Sequence, residues 1–197
     1  MPRRHRSFDA VVRAVEATLR RHRVDHVLVG AISVMAFGLF RTTAGVDVIA
    51  DMRPDQLRPL AAELRHRGFA VSEDGLRDAL ADGGVCTIHD LRSPFRIELA
   101  PAKDAAAKHA IRVRRRVRWR GTSLPVATPE HTVVMKLKQG SERDLNDALG
   151  ILVRQRGRLD LRRMRAFAKQ QGAPAALRDL EREARALEER GRRRQGP

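Results

Sequence analysis

The hydrophobic pattern of the first fifty residues alternates between helical and strand spacing. Ser7 can cap a helix that runs to about His22. The apolar face of this helix consists of Val11, Val12, Val15 and Leu19. Two short apolar runs, 27–30 and 46–50, then predict buried strands, and the small and apolar residues between them predict a second helix. We therefore expect a helix packed against a sheet, with a glycine turn at Gly30.

The pattern beyond residue 50 continues this mixture and becomes helical near residue 125. Proline, serine or threonine opens several of the predicted helices, and glycine ends some of them. The predicted helices are 54–67, 75–82, 102–110, 128–139, 141–152, 159–171 and 175–189. The predicted strands are 69–72, 85–89, 94–100 and 112–120. We expect an α/β core over residues 1–125, and over 126–197 a helical region that ends in a frayed basic tail.

One predicted strand carries a carboxylate in its middle. Over 94–100 the apolar positions fall on one face, and Arg96 and Glu98 fall on the other. Glu98 can contribute to a binding site on that face, or it can simply pair with Arg96 in solvent. The sequence leaves both interpretations open.

Net charge is the property of the composition that says most about the function of the protein. The 197 residues carry a formal net charge of +16, and the pI is near 11.5. Such an excess favours a polyanionic partner, most commonly nucleic acid, although an arginine-rich solvated surface can also produce it. A single cysteine excludes an internal disulfide and is typical of a reducing compartment. We expect neither a secretory signal nor a membrane span, and therefore a cytoplasmic protein.

The basic residues are densest over 112–120, where arginines alternate with Val113, Val117 and Trp119. This alternation predicts an exposed strand with one basic face. An arginine ladder beside a tryptophan can follow a phosphate backbone, and the same charges can protect an edge strand from aggregation. We favour RNA binding, because edge protection does not require so many arginines. The nucleic-acid-binding candidates are Arg112, Arg114, Arg116, Arg118, Trp119 and Arg120.

The stretch between the first two strands has features suited to phosphate chemistry. A strand that ends at Gly30, followed by a helix N-terminus, presents backbone N–H groups and the positive end of a helix dipole. Asp47, on the next strand, supplies a carboxylate that can hold a divalent cation beside a phosphate. The combination indicates nucleotide chemistry, although neither half is specific by itself.

This stretch resembles the signature of the DNA-polymerase-beta-like nucleotidyltransferase superfamily. It is most similar to the branch of abortive-infection and toxin–antitoxin nucleotidyltransferases, with the pattern Gly-Gly-x-Ala, Gly, Arg-x-Thr-x-Asp-hydrophobic-Asp. The matching residues are Gly30, Gly38, Arg41, Thr43 and Asp47. Two positions depart from the pattern, since Ala31 replaces the second Gly or a Ser, and Gly45 replaces the first acid.

A second segment, 128–147, resembles the end of the catalytic region in that branch, which has the pattern Thr-Pro-Glu, Lys-Leu-x-Ala, Arg-Asp-x-x-Asp. Lys136 falls on the family's lysine, and Asp144 and Asp147 fall on its acids. Asp144 also has a purely structural interpretation, because it completes a helix capping box that begins at Ser141.

The resemblance implies a nucleotidyltransferase-like mixed sheet flanked by helices, followed by a C-terminal helical bundle. It implies an enzyme that transfers an NMP from an NTP to RNA with Mg²⁺ or Mn²⁺, with a tRNA 3′ end as the expected acceptor. It also implies a toxin-like role with a cognate antitoxin protein. On this interpretation Asp47, Glu98 and Lys136 are catalytic, and the first two hold metal. The nucleotide-binding candidates are Gly30, Ala31, Ser33, Arg41, Thr43, Lys136, Asp144 and Asp147.

Gly45 weakens the expected metal site. Acids at positions 45 and 47 would share one face of a strand and could bridge two ions about 3.5–4 Å apart. Asp51 lies on the same face but about 13 Å further along the strand, so it cannot substitute. The alternatives are therefore a catalytically degenerate RNA- or partner-binding protein, and a transferase that acts on a small molecule or a protein. The positive charge argues against cationic antibiotics, which require an acidic pocket.

Overall fold

The structure is a computed structural model that describes residues 5–194. Within these residues the strands are β1 (Asp25–Leu28), β2 (Gly45–Asp51), β3 (Phe69–Ala70), β4 (Cys86–Asp90), β5 (Arg96–Pro101), β6 (Arg115–Trp119) and β7 (Thr122–Val126). The helices are α1 (Phe8–Arg21), α2 (Gly30–Ala36), α3 (Pro54–His66), α4 (Glu73–Asp82), α5 (Ala105–Val113), α6 (Pro129–Gln139), α7 (Glu142–Arg154), α8 (Leu161–Gln170) and α9 (Pro174–Arg194).

The chain divides into two compact units. The first contains the residues up to Ile32 together with Thr42–Ala127, and the second contains Ser33–Arg41 together with the residues from Thr128 onward. The strands named above lie in the first unit, and α6, α7, α8 and α9 lie in the second. The first unit is therefore an α/β unit and the second a helical unit. The short segment 33–41, which the sequence pattern groups with the α/β core, clusters with the helical unit.

The strands of the α/β unit form one mixed sheet in the order β3-β4-β5-β2-β1-β7-β6. Strand β2 is parallel to β5, and β1 is parallel to β7, whereas the other neighbouring strands are antiparallel. The central strand β2 and its neighbour β1 correspond to the two apolar runs of the sequence. A strand between two others buries its faces more fully than an edge strand, and an inner strand is therefore mainly apolar. The predicted α/β class with a mixed sheet is confirmed.

Strand β2 has one buried face and one partly open face. Val46, Val48 and Ala50 are buried, whereas Asp47, between them in sequence, is half-buried. Ile49 lies on the same face as Asp47, and it packs against an apolar cluster that includes residues of α5. Helix α5 therefore covers the end of this face near Ile49, and the position of Asp47 remains accessible.

Helix α1 follows the prediction closely. The hydroxyl of Ser7 accepts a hydrogen bond from the backbone N–H of Ala10 at 3.3 Å, and the helix ends at Arg21. The four residues of the predicted apolar face are buried. The cap and the apolar spacing agree with each other, so local and tertiary preferences select the same helix.

Helix α2 is shorter than its apolar pattern predicts. The pattern continues to Leu39, but the helix ends at Ala36. Gly38 has φ +97°, a conformation that side chains other than glycine rarely adopt, and its backbone N–H bonds to the carbonyl of Met35. The glycine turns the chain before the last apolar residue can join the helix.

The region from 102 to 126 contains two corrections. Asp104 caps α5 through a 2.6 Å hydrogen bond from the N–H of Ala107, so the helix is displaced to 105–113 from the predicted 102–110. Arg112 therefore lies in a helix and not in the predicted strand 112–120. The second correction is β7, which the sequence pattern did not identify because Pro125 interrupts it. Pairing with β1 and β6 on its two sides defines this strand.

The helical unit begins at the predicted caps. Thr128 and Ser141 accept hydrogen bonds from the backbones of His131 and Asp144, and they cap α6 and α7. The tail that we expected to fray begins near Arg190. Helix α9 continues to Arg194, and residues 195–197 lie outside the described part of the chain. None of the helices within residues 5–194 combines the length and apolar character that crossing a membrane requires.

Candidate active site

Two carboxylates meet at the centre of the sheet. Asp47 and Glu98 are direct register partners on the parallel strands β2 and β5. Paired residues on neighbouring strands project to the same face, and their Cα atoms are about 4.8 Å apart. The sequence alternation put Glu98 on the polar face of its strand, but only the register between the strands places it beside Asp47.

Gly30 allows the Asp47 carboxylate to pack directly against the backbone of the turn. Its φ is +59°, and a Cβ added to it would lie 2.0 Å from Oδ2 of Asp47. The N–H of Val29 donates a 3.0 Å hydrogen bond to the carbonyl of Asp47, which fixes the turn against β2. Any side chain at position 30 would therefore collide with the carboxylate. The glycine is required both by its backbone conformation and by the close approach of Asp47.

Gly45 is not required by its backbone. Its φ lies outside the left-handed region, and the only neighbour of an added Cβ within 4 Å is Oε1 of Glu98, at 3.9 Å. A Cβ therefore has room at position 45, next to the two carboxylates. A glycine at this position supplies no metal ligand, and neither the backbone conformation nor the space for a Cβ accounts for its presence.

Arg96 lies beside this position. It is the register partner of Gly45, and its Nε donates a 2.8 Å hydrogen bond to Oε1 of Glu98. The two side chains are 44% and 35% exposed, so the ion pair is solvated and contributes little stability. The predicted Arg96–Glu98 pair therefore exists, and Glu98 also lies beside Asp47. Arg96 is not among the site residues that the sequence predicted. Its spacing of two residues from Glu98 nevertheless placed it on the same face of the strand.

The other candidates near the Gly30 turn have structural roles. Thr43 Oγ1 accepts a 3.1 Å hydrogen bond from the N–H of Gly45 and bonds to its carbonyl, so it shapes the entry to β2. Ala31 and Ser33 are buried in α2. Helix α2 contains seven residues, so its dipole is weaker than the sequence pattern suggested.

The helical unit contains a separate cluster of candidates. Lys136 Nζ bonds to Oδ1 of Asp144 and lies 3.6 Å from Oδ2 of Asp147. Arg41 Nη1 bonds to the same Oδ2 of Asp147. The side chain of Lys136 is 8% exposed, so its charge is largely buried and compensated by the two acids. Arg41 comes from a distant part of the sequence, and the structure brings it together with the second motif.

Burial and ion pairing act in opposite directions on Asp144. Burial raises the pKa of this carboxyl, but hydrogen bonds from Lys136 and the Ser141 hydroxyl, with the charges of Lys136 and Arg41, lower it by more. The net pKa lies below the ordinary value of 3.8, and Asp144 is ionised at neutral pH. Ser141 donates to Oδ2 of Asp144 at 2.6 Å, so the capping residue and the ion cluster are one network.

The basic candidates lie at the edge of the sheet. Strand β6 forms that edge, and three strand spacings, about 14 Å, separate it from β2. Arg116 and Arg118 are exposed on this strand. The exposed basic strand that the alternation predicted is therefore present over 115–119, although the ladder is not adjacent to the carboxylates.

Several cations of the ladder pair with acids of the same unit. Arg114 donates to Asp25 at 2.8 Å, and Arg120 lies 3.0 Å from Asp9. The indole N–H of Trp119 donates to the same Asp9 at 2.9 Å, so its ring is held against α1. These pairs reduce the charge that the ladder can offer to a phosphate backbone.

The carboxylates fit one divalent cation better than two. Asp47 and Glu98 supply oxygen ligands on one face of the sheet. However, no group of three or more His, Cys, Asp or Glu side chains suitable for a metal occurs within residues 5–194. A pair of ions requires bridging acids, and position 45 has none. The donor set thus fits a single hard cation and does not fit a metal pair.

Comparisons with known proteins identify the fold. Neither a family model nor a curated protein matches the sequence. Among solved structures, that of ANT(2'')-Ia in complex with adenylyl-2''-tobramycin matches with a TM-score of 0.56 and 12% identity, over 83% of this chain and 97% of that chain. The lincosamide antibiotic adenylyltransferase LnuA, bound to lincomycin, matches with a TM-score of 0.53 and 10% identity, over 75% and 97%.

A solution structure of the antibiotic-resistance factor ANT(2'')-Ia covers 93% of this chain and 96% of its own, with a TM-score of 0.52 and 11% identity. The sequences have diverged, but the spatial arrangement of the elements is shared over most of each chain. The chain therefore has a nucleotidyltransferase-like fold, as the two sequence motifs implied.

Proposed function

We propose that this protein is a nucleotidyltransferase that transfers an NMP from an NTP to RNA, with a tRNA 3′ end as the acceptor. The observation that carries the proposal is the register pairing of Asp47 with Glu98 on the partly open face of the central strands, with the Asp47 carboxylate packed against Gly30. The fold supports the same reaction class, because the chain shares its arrangement with structures that include an adenylyltransferase.

The proposed roles follow from charge and position. A divalent cation, Mg²⁺ or Mn²⁺, would be held by Asp47 and Glu98 and would supply Lewis-acid stabilisation of phosphate oxygens. The backbone of the Gly30 turn, against which the Asp47 carboxylate packs, would cradle phosphates beside these carboxylates. Lys136 pairs with Asp144 and Asp147, and Arg41 pairs with the same Asp147.

The acceptor is inferred from electrostatics. The net charge of +16 and the exposed arginines of β6 favour a polyanion over a cationic small molecule. The resemblance to toxin–antitoxin nucleotidyltransferases supports the same acceptor and adds an antitoxin protein as partner. On this proposal the protein acts in the cytoplasm.

Incubation of the protein with total tRNA, Mg²⁺ and each labelled NTP in turn tests the proposal, with Asp47→Ala as control. We expect label at RNA 3′ ends from one NTP, and its loss in the control. Absence of label with every NTP, in a protein that binds RNA in a salt-sensitive manner, would overturn the enzymatic proposal.

Two further candidates have specific support. Gly45 favours a non-catalytic RNA-binding protein on the same fold, because the donor set does not fit a metal pair. The solved structures favour antibiotic modification, because ANT(2'')-Ia and LnuA are described with tobramycin and lincomycin. The net charge of this chain opposes the binding of polycationic antibiotics, and we therefore place RNA first.

A further inference from the structure

The set of metal-binding side chains differs from that of a two-metal site at one position, which is position 45. A cationic side chain, Arg96, lies next to this position. Gly45 replaces an acid, and its register partner on β5 is Arg96. Paired residues on parallel strands project side by side on the same face, so the guanidinium of Arg96 extends from the strand position next to the missing carboxylate. The alternation of β5 places it on the face of Glu98, to which its Nε is bonded.

We infer that Arg96 takes the place of the second divalent ion, so that this protein binds a nucleoside triphosphate with one metal ion and one guanidinium. The inference rests on the proposed function and names how the same site binds its phosphates. A guanidinium is always charged, and its planar set of N–H donors matches phosphate oxygens. It supplies charge neutralisation without needing an acid at position 45.

The formal charge of the site supports this substitution. Three carboxylates with two divalent ions have a net charge of one positive unit. Two carboxylates, one guanidinium and one divalent ion have the same net charge. The loss of an acid at Gly45 and the presence of Arg96 thus compensate each other, and the charge offered to a triphosphate is unchanged.

The existing contacts of Arg96 permit this role. Its ion pair with Glu98 is solvated, with the two side chains 44% and 35% exposed. Exposed pairs of this kind contribute little to stability, so the guanidinium can turn from Glu98 to a phosphate at little cost. Glu98 would then be released toward a cation held with Asp47.

The space at position 45 excludes a simpler explanation of the glycine. A backbone that required glycine, or a neighbour that excluded a side chain, would account for Gly45 without any change of function. The φ is ordinary, and the nearest atom to an added Cβ is 3.9 Å away. An aspartate introduced at 45 would lie beside Arg96 and pair with it, so restoring a metal pair requires both Gly45→Asp and Arg96→Gln.

The test uses the full chain, Mn²⁺ and a triphosphate analogue with a methylene group between the α and β phosphates. Mn²⁺ bound per chain is counted by electron paramagnetic resonance, and analogue affinity is measured by calorimetry. We expect the wild type to bind one Mn²⁺ in the ternary complex. We expect Arg96→Gln to weaken analogue binding about tenfold or more, because it removes a charge-assisted hydrogen bond. The double variant should bind a second Mn²⁺ and recover part of the affinity.

Arg58→Gln is the matched control, since Arg58 is exposed on α3 and its loss changes the net charge equally. It should bind the analogue as the wild type does. Two Mn²⁺ per wild-type chain, or equal affinities of the Arg96→Gln and Arg58→Gln variants, would overturn the inference. Arg96 is exposed, so this comparison remains valid even where the double variant does not fold. Dependence of binding on Arg96 without RNA labelling would leave the inference standing and remove the proposed transfer reaction.

Discussion

Gly30 shows how a single atom can control the chemistry of a site. The hydrogen that takes the place of a Cβ allows the Asp47 carboxylate to pack against Gly30, whereas an added Cβ would lie 2.0 Å from its Oδ2. The same residue has φ +59°, where a side chain costs about 1–2 kcal/mol. Two effects of a substitution at this position, strain and crowding, can therefore be separated.

We predict that Gly30→Ala lowers the free energy of unfolding by about 1–2 kcal/mol or more and reduces Mn²⁺ binding, because the new methyl group displaces Asp47. Gly121→Ala is the control: Gly121 has φ +84°, and an added Cβ there has no neighbour within 4 Å. It should lose a similar stability and keep its metal affinity. Urea unfolding and Mn²⁺ titration measure the two quantities. Equal losses of metal affinity in both variants would contradict the crowding argument.

Asp144 connects the ion cluster of the helical unit to pH. Its folded pKa is lower than the ordinary value of 3.8, so the unfolded state binds a proton more readily than the folded state. The stabilisation is therefore complete above pH 3.8 and is lost as the pH falls through the folded pKa.

We predict that Asp144→Asn is less stable than the wild type at pH 7 and that the difference diminishes as the pH falls below about 3.8. Urea unfolding over a pH series measures this difference. Asp78→Asn, a change to an exposed acid on α4, should show a much smaller loss of stability at pH 7. A difference between Asp144→Asn and the wild type that does not vary with pH would show that the carboxylate charge does not stabilise the cluster.

Among the elements of secondary structure, strand β6 combines a high positive charge with a position that favours pairing with another strand. It lies at the edge of the sheet, where unpaired backbone groups invite association with another strand. Its arginines can prevent such association and can also bind phosphates. The two roles differ in one measurable respect, because only phosphate binding releases counterions from a nucleic acid.

We predict that Arg118→Gln lowers the slope of log affinity for single-stranded RNA against log salt concentration by roughly 0.7, the amount expected for one phosphate contact. Arg77→Gln is the control, because Arg77 already pairs with Glu73 and Asp74 on α4. Its slope should match that of the wild type. Filter binding from low to moderate salt measures both slopes. An unchanged slope in Arg118→Gln, with more aggregation, would favour edge protection.

At the level of the whole molecule, net charge discriminates between acceptors on a shared fold. A chain with a charge of +16 attracts polyanions and repels polycations at distances of up to a Debye length, about 10 Å at 0.1 M salt. Two solved structures with this fold are described with antibiotics.

We predict that labelling from an NTP goes to tRNA when tRNA and tobramycin are supplied together, and that tobramycin alone receives little label. Thin-layer and gel separation of the products measures the distribution. Raising the salt concentration should reduce tRNA labelling through weaker binding, with kcat less affected than KM. Preferential labelling of tobramycin at low salt would place this chain with the antibiotic-modifying enzymes.

The sequence determined the elements whose local signals agree with one another. Helix α1 has both a cap and an apolar face, and the runs that form β1 and β2 are mainly apolar and mainly buried. The two family motifs implied the nucleotidyltransferase-like fold before any tertiary contact was known. Local propensity is reliable in such segments because burial strengthens the same preference.

Only the tertiary structure decided which side chains meet. The length of α2 depends on the turn at Gly38, and β7 exists because β1 and β6 offer hydrogen bonds on its two sides. The register of β2 against β5 places Asp47 beside Glu98 and Gly45 beside Arg96. The alternation within one strand specifies the face on which a side chain lies, but not the side chain next to it on the neighbouring strand. If a parallel partner strand shifted by two residues, every side chain would stay on its face but would have a different neighbour. The composition of this site was therefore settled by pairing between strands that are distant in sequence.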